Sequence, residues 1–533
     1  MSDSHNRNSR PPEEEALAGF PAPDRVEWFE DGRLRTEADA GIWNPERDNK
    51  LLYIAGSLKR AVNYPDGYTL DIPADWQPDY SRSPVRVRYQ TDRLVLTVTK
   101  ETVTYDTRQF FFAECFDRHI KHPRYLRENR ITEWRPAHLE EMNGYEAEFL
   151  HLHLEDMPEG SLTYYTFVKL YNDSPEFFHF SLKSAEPFDL EPVVRSLRVI
   201  SACGTAAYCL EFVPHISEDW TPETRAYYDR LTNATEIDWG LFTSHGNDGE
   251  LEQFEAFEEK MEYRFPIVSI YRHIVQEFPA EALQRVSDAG RQLQFTYQYT
   301  GTNNTNLSSD TVALDVYRGK MDDKLRELAR GIKAYGKPVL FRLNNEMNAD
   351  WTSYCGLANL LDPDIFIETW KRLYRIFEQE GVHNAIWICN PFDNSYPPCR
   401  WANFINYMPP AEYMHVIGVT GYCMTHMGFP SFRKIYEKIQ ENYRPFFMDW
   451  PWIVSEFGCS GGEGIRNDQQ AQWIRGMFDC YEQGLFPNIK ASVWFSVNDY
   501  APDGSIINWL ELHPDSPLTM EAFRDGLKRT HSG

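Results

Sequence analysis

A chain of 533 residues exceeds what one hydrophobic core commonly supports, so two domains are expected. Apolar residues at 42% and charged residues at 25% leave ample core material, while a formal charge of −26 repels nucleic acid and anionic membrane surfaces and favours a neutral ligand. The 15 Trp and 30 Tyr suit either a large packed core or a cleft in which rings stack on a ligand's apolar faces.

The nine cysteines are odd in number, scattered and without a C-x-x-C, the usage of reduced thiols in a reducing compartment. Met1 is not followed by the apolar core of a signal peptide, and no stretch is long enough to span a membrane. As written the chain reads as cytoplasmic. A chain whose leader had been removed would look the same, and would be secreted. Composition leaves the oligomeric state open.

Residues 1–48 begin polar and rich in Pro and Glu and read as a flexible arm. From 49 to 202 the pattern alternates with period two, at Val85-Arg86-Val87-Arg88-Tyr89, at Leu94-Val95-Leu96-Thr97-Val98-Thr99, and over 144–153, 161–170 and 177–182. That is an antiparallel sheet with one wet face, hence a small β-rich α+β domain with short helices over 116–127 and 191–197. His151 and His153 share one strand face, but no third ligand stands at a recognisable spacing and no metal site is assigned. Residues 203–232 read as a linker ending in a helix over 222–231.

From 233 to 533 short apolar runs alternate with helical stripes. Strands are expected over 237–242, 266–271, 293–299, 339–343, 385–389, 416–420, 453–455 and 491–495. Between most of them lie stripes such as Met321-Leu325-Leu328-Ile332-Tyr335, or the helix within 362–381, where Asp362 is the N-cap, Pro363 sits at N1 and Gly381 at C′. Eight βα units predict an α/β fold, a (β/α)8 TIM barrel, with its working groups at the C-terminal strand ends.

Two carboxylates then face the same rim. Glu346 follows the fourth strand in Arg342-Leu343-Asn344-Asn345-Glu346-Met347-Asn348, and Glu456 follows the seventh in Ile453-Val454-Ser455-Glu456-Phe457-Gly458. A proton donor and a nucleophile about 5–5.5 Å apart are what a retaining glycoside hydrolase needs. Most of the 80 acidic residues must be solvated surface groups, but a glutamate after a buried strand, twice, rises above that background.

These motifs, with Trp351, Ile386-Trp387-Ile388-Cys389-Asn390-Pro391, the run from Tyr413 to Tyr422 and Ala491-Ser492-Val493-Trp494-Phe495, resemble glycoside hydrolase family 26 of clan A, the β-mannanase type, over about 235–510. The resemblance implies Glu346 as acid/base, Glu456 as nucleophile, Tyr422 as a hydrogen-bond partner of that nucleophile and Trp494 as a platform under the reacting sugar. It also implies a carboxylate-fixing role for Arg342; Trp351, Trp387 and His245 are weaker substrate-binding candidates, and His273 follows an early strand in the same way. Core tyrosine and core tryptophan are the competing readings for Tyr422 and Trp494. The family usually places His before its acid/base, where this chain has Asn345; Asn-Glu is common across the clan, whose amide binds the sugar 2-hydroxyl. That departure leaves xylan and glucan open beside mannan. No metal or organic cofactor is required.

Gly458-Cys459-Ser460-Gly461-Gly462 lacks the Lys and spacing of a phosphate loop, and no G-x-S-x-G appears. Asn303 and Asn306 fit a glycosylation pattern that chance also produces. The sequence thus points to a retaining hydrolase of neutral β-linked saccharides. The reading from another class is a non-catalytic carbohydrate-binding or scaffold protein on the same barrel, which retention of both glutamates opposes.

Overall fold

Each of the eight apolar runs forms a strand, and the strands close a parallel barrel in chain order. We number them β1 (Asp238–Phe242), β2 (Ile267–His273), β3 (Gln292–Gln298), β4 (Val339–Leu343), β5 (Ala385–Cys389), β6 (Val416–Cys423), β7 (Trp452–Cys459) and β8 (Ile489–Phe495). The computed structural model describes every residue except 1–25, 31–32, 37–48, 203–205, 302–306, 462–467, 502, 514 and 532–533. Most of the expected arm, and both Asn303 and Asn306, lie outside the described residues.

Side chains alternate between barrel interior and helix-facing exterior, as the strand period requires. Ile267, Leu340, Ile386, Ile388, Val416, Ile453, Ala491 and Val493 cluster inside with Trp220, Tyr228 and Leu231, the last two from helix Pro222–Asn233. Burying that one helix stripe closes the barrel floor and leaves the C-terminal strand ends to build a site. The outer layer follows the sequence stripes closely. Helix Pro363–Glu380 starts where the Asp362 side chain accepts from the Asp364 N–H, and stops at Gly381, whose φ of 70° suits a residue without Cβ. A final helix, Pro517–Thr530, went unread in the sequence.

Strands β6 and β7 run longer than their apolar cores, reaching Cys423 and Cys459. Tyr422 and Glu456 therefore lie within strands, where the sequence placed both after them. The ladder continues because the residues at these strand ends are buried inside a closed barrel.

Chain contacts separate this unit, Phe212–Pro397 with Asn406–Gly533, from a second made of Met1–Glu211 and Pro398–Ile405. The second unit holds two antiparallel sheets, of six and seven strands, sharing an apolar core that includes Leu70, Tyr89, Leu96, Phe149, Val168 and Phe180. The period-two runs of 144–153, 161–170 and 177–182 become strands Tyr145–Leu154, Tyr164–Tyr171 and Glu176–Ser184. The helix expected over 116–127 is broken instead into a π-helical turn, Ala113–Asp117, and a short helix, Pro123–Glu128, since Pro123 starts a new helix capped by His122. Residues 398–405, which follow β5 in the chain, are pinned here: the buried Glu101 accepts the Arg400 and Trp401 backbone N–H groups at 2.8 and 3.1 Å. No described helix is long and apolar enough to cross a membrane.

Candidate active site

Glu456 reaches the barrel interior through a local irregularity. Ile453 points inward, so strict alternation would turn Glu456 outward toward the helices. Between Val419 and Thr420 of β6 the partner strand advances two residues, from Val454 to Glu456. The extra residue, Ser455, is a β-bulge, and it re-aims the next side chain. Gly418 of β6 makes the bulge possible, because a Cβ there would sit 2.8 Å from Ser455 Oγ and 2.7 Å from Ile388 Cγ2.

Four donors from three strands or their ends, β2, β4 and β6, converge on the Glu456 carboxylate. Oε2 accepts from Arg342 Nη2 at 2.6 Å, from Tyr271 OH at 2.6 Å and, at the long limit, from Asn345 Nδ2 at 3.4 Å. Oε1 accepts from Tyr422 OH at 2.7 Å. Arg342 is fully buried and held by Thr296 Oγ1 and Asn390 Oδ1 at 2.8 and 3.2 Å, so its charge-assisted bond carries little orientational freedom. Asn345 is oriented in turn by Gln298, whose Nε2 donates to Oδ1 at 2.9 Å and leaves the amide N–H groups toward Glu456.

Glu346 sits just beyond β4 on a backbone with φ of 60°, two residues after Asn344 at φ of 47°. Left-handed conformations are uncommon for residues with a side chain and cost about 1–3 kcal/mol. Here the neighbours enforce them: Asn344 Oδ1 accepts from Tyr299 N–H, Asn344 N–H donates to Tyr297 O, and Glu346 N–H donates to Asn390 O. Trp351 Nε1 donates to Glu346 Oε2 at 2.7 Å. Burial first, and the nearby Glu456 second, push the Glu346 carboxyl up to about 8, against smaller lowering effects of Trp351, Arg342 and Thr420.

Both glutamates line one cavity of about 550 Å³, together with Asp350, Trp351, Tyr396, Tyr422, His426, Phe495 and Asp499. Burial raises the Asp499 carboxyl, opposed by its hydrogen bond from Asn508. Among the described residues, four carboxylates, one imidazole and no Lys or Arg line this space, which disfavours an anionic ligand.

Of the residues singled out in the sequence, Glu346, Glu456, Asn345, Arg342, Tyr422 and Trp351 come together here. Trp494 does not. It is fully buried on the outer barrel face among Phe457, Trp473 and Phe523, with Nε1 donating to Leu510 O, because the inward positions of β8 are Ala491, Val493 and Phe495. Phe495 lines the cavity in its place. Trp387 likewise packs outward against Phe341, Trp370 and Phe377, since Ile386 and Ile388 take the inward positions of β5. His245 is exposed beside Glu250 and is not among the lining residues. His273 has a lowered pKa through burial and also lies outside that lining.

Tyr271, Phe392 and Phe495 were missed. Tyr271 and Phe495 carried a usable signal, their inward parity on β2 with Ile267 and on β8 with Val493.

In the other unit, His151 Nδ1 meets Thr166 Oγ1 at 3.1 Å while His153 stacks on Tyr164, so the two do not share a ligand position. Among the described residues His138, Glu140 and Glu191 do approach one another, but both carboxylates already pair with Arg195.

Residues 266–447 match the profile of the family described as Glycosyl hydrolase family 26. Endoglucanase H of Acetivibrio thermocellus is 23% identical over 192 residues, 35% of this chain, and the match spans only 20% of that protein. Among solved structures, a GH26 β-mannanase from Bacteroides ovatus is 16% identical over 58% of this chain and 93% of its own, with a TM-score of 0.44. A Cellulomonas fimi endo-β-1,4-mannanase double mutant is 15% identical over 58% and 75%, with a TM-score of 0.45. Within the barrel, the stretch 266–447 is thus similar to glycosyl hydrolase family 26.

Proposed function

We propose that the barrel is a retaining β-glycoside hydrolase acting on a neutral β-linked poly- or oligosaccharide, with mannan the first substrate to test and xylan and glucan next. The observation that carries this reading is the asymmetry of the two carboxyls in one cavity. Glu346, pushed up to about 8, is protonated at neutral pH and serves as general acid. Glu456, with Arg342 and two tyrosines donating to it, is the nucleophile.

The first displacement joins the anomeric carbon to Glu456 as the leaving oxygen takes the Glu346 proton. In the second, a water gives its proton back to Glu346 and its oxygen to the anomeric carbon, releasing Glu456. Net configuration is retained. The lining, acidic and without a Lys or Arg among the described residues, supports a neutral sugar over a uronate.

The test is a panel of β-mannan, xylan, mixed-linkage glucan and aryl β-glycosides with products sized and their anomeric signals followed by NMR. Initial formation of the β-anomer, and mass-spectrometric capture of a 2-fluoroglycosyl adduct on Glu456, are expected. Binding without turnover across the panel would favour the non-catalytic reading.

A further inference from the structure

The two oxygens of Glu456 are held unequally, and the difference assigns them separate jobs. Oε2 takes Arg342, Tyr271 and the longer contact from Asn345, whereas Oε1 takes Tyr422 alone among the described residues. An oxygen holding several charge-assisted or short hydrogen bonds has little lone-pair density left for a new bond; its neighbour with one donor is free to react. Building on the hydrolase reading above, we infer that Oε1 is the attacking oxygen and that Tyr271 is a positioning residue that locks Oε2 through both half-reactions.

Tyr271 suits that role in three respects. Its hydroxyl accepts from Arg342 Nη2 at 2.5 Å, so the oxygen is occupied on one side and the proton is directed to Oε2. The Arg342 guanidinium lies over the ring at 5.0 Å, and Phe242 and Phe495 meet the ring edge-to-face at 4.6 and 6.1 Å, fixing its plane. Burial and the two nearby glutamates raise its pKa well above the ordinary phenol range, which keeps the donated proton in place.

In the first step the Oε1 lone pair forms the bond to the anomeric carbon while the bond to the leaving oxygen breaks and that oxygen takes the Glu346 proton. Oε1 is then an ester oxygen and a poor acceptor, so the Tyr422 hydroxyl is released toward the sugar. Oε2 becomes the ester carbonyl, still bonded to Tyr271 and Arg342. When water attacks, the electron pair of the carbon–Oε1 bond returns to Glu456 and the water proton goes to Glu346.

Tyr271→Phe keeps the ring and deletes the hydroxyl. A hydrogen bond to a charged group predicts a loss of about 10- to 100-fold in kcat/KM. It also predicts that the loss falls on kcat rather than on KM, because the lock acts on the reacting carboxylate and not on the bound sugar. With an activated aryl β-glycoside, stopped-flow measurement should show both burst and steady-state rates reduced. Tyr422→Phe serves as contrast: its effect should fall mainly on one of the two rates. Melting temperature is followed for both variants, and a folded Tyr271→Phe enzyme within twofold of wild type in kcat overturns the inference. So does a loss carried by KM with kcat unchanged, the mark of disturbed packing alone. An inactive wild-type protein would instead overturn the hydrolase reading.

Discussion

Glu101 and Glu346 occupy different units, yet each is a buried glutamate, 2% and 7% exposed, whose carboxyl burial pushes upward. Glu101 is fully used. Its two oxygens receive the backbone N–H groups of Arg400 and Trp401, and the Thr99 hydroxyl and the Arg400 charge favour its ionised form as well. Glu346 has one strong donor, a left-handed backbone and a second carboxylate across a cavity. A raised acid is therefore no sign of catalysis by itself. What separates the two is unfinished coordination beside open space, since only there can a proton leave for something else.

The largest effects should fall on the barrel pair. Glu456→Ala is expected to cut turnover on the order of 10⁴-fold, and Glu346→Gln by roughly 10²–10⁴-fold on substrates with poor leaving groups. Steady-state kinetics on the best substrate check both, while Glu101→Gln should leave kcat/KM of the folded enzyme within about twofold. Equal losses in Glu101→Gln and Glu346→Gln would erase the comparison.

Next come stability effects. Trp494→Ala should cost ~3–5 kcal/mol in denaturant unfolding, as for other buried tryptophans, because its ring fills the outer layer. A platform role would instead lower kcat/KM with unfolding unchanged. Glu101→Ala, leaving two buried N–H groups unmatched, is expected to cost about 2 kcal/mol.

The smallest effects are shifts with pH. The basic limb of the activity profile should lie near the value of about 8 set by Glu346, and Trp351→Phe, by removing a donor that lowers that value, should move the limb upward by up to about one unit. The same group makes folding depend on pH. Its folded pKa lies above that of an unfolded glutamate, ~4.3, so its contribution to stability is full below that value and is lost as pH rises toward about 8. The loss runs at up to ~1.4 kcal/mol per pH unit. Glu346→Gln should flatten this slope in melting experiments across pH 5–8.

How far the sequence could be read depended on which physical signal each part carries. Strands and helices of the barrel were legible because burial imposes periods of 2 and 3.6, and the caps at Asp362 and Gly381 fixed one helix to within a residue. The two glutamates were legible from their position after buried runs. Trp494 and Trp387 were misplaced because motif likeness was weighed without parity: Val493 and Ile388 already occupied the inward positions. Glu456 itself has the wrong parity and turns inward only through the bulge at Ser455, which no local pattern announces. Tyr271 carried inward parity in the sequence, but its role was hidden because its partner Glu456 is 185 residues away.

Azide rescue tests the central claim most directly, because it reads the role of each carboxylate from product stereochemistry. With an activated aryl β-glycoside, Glu346→Ala plus azide should regain turnover and give the β-glycosyl azide, and Glu456→Ala plus azide the α-glycosyl azide. The same anomer from both variants, or rescue of neither alongside full activity in one, would contradict the assignment.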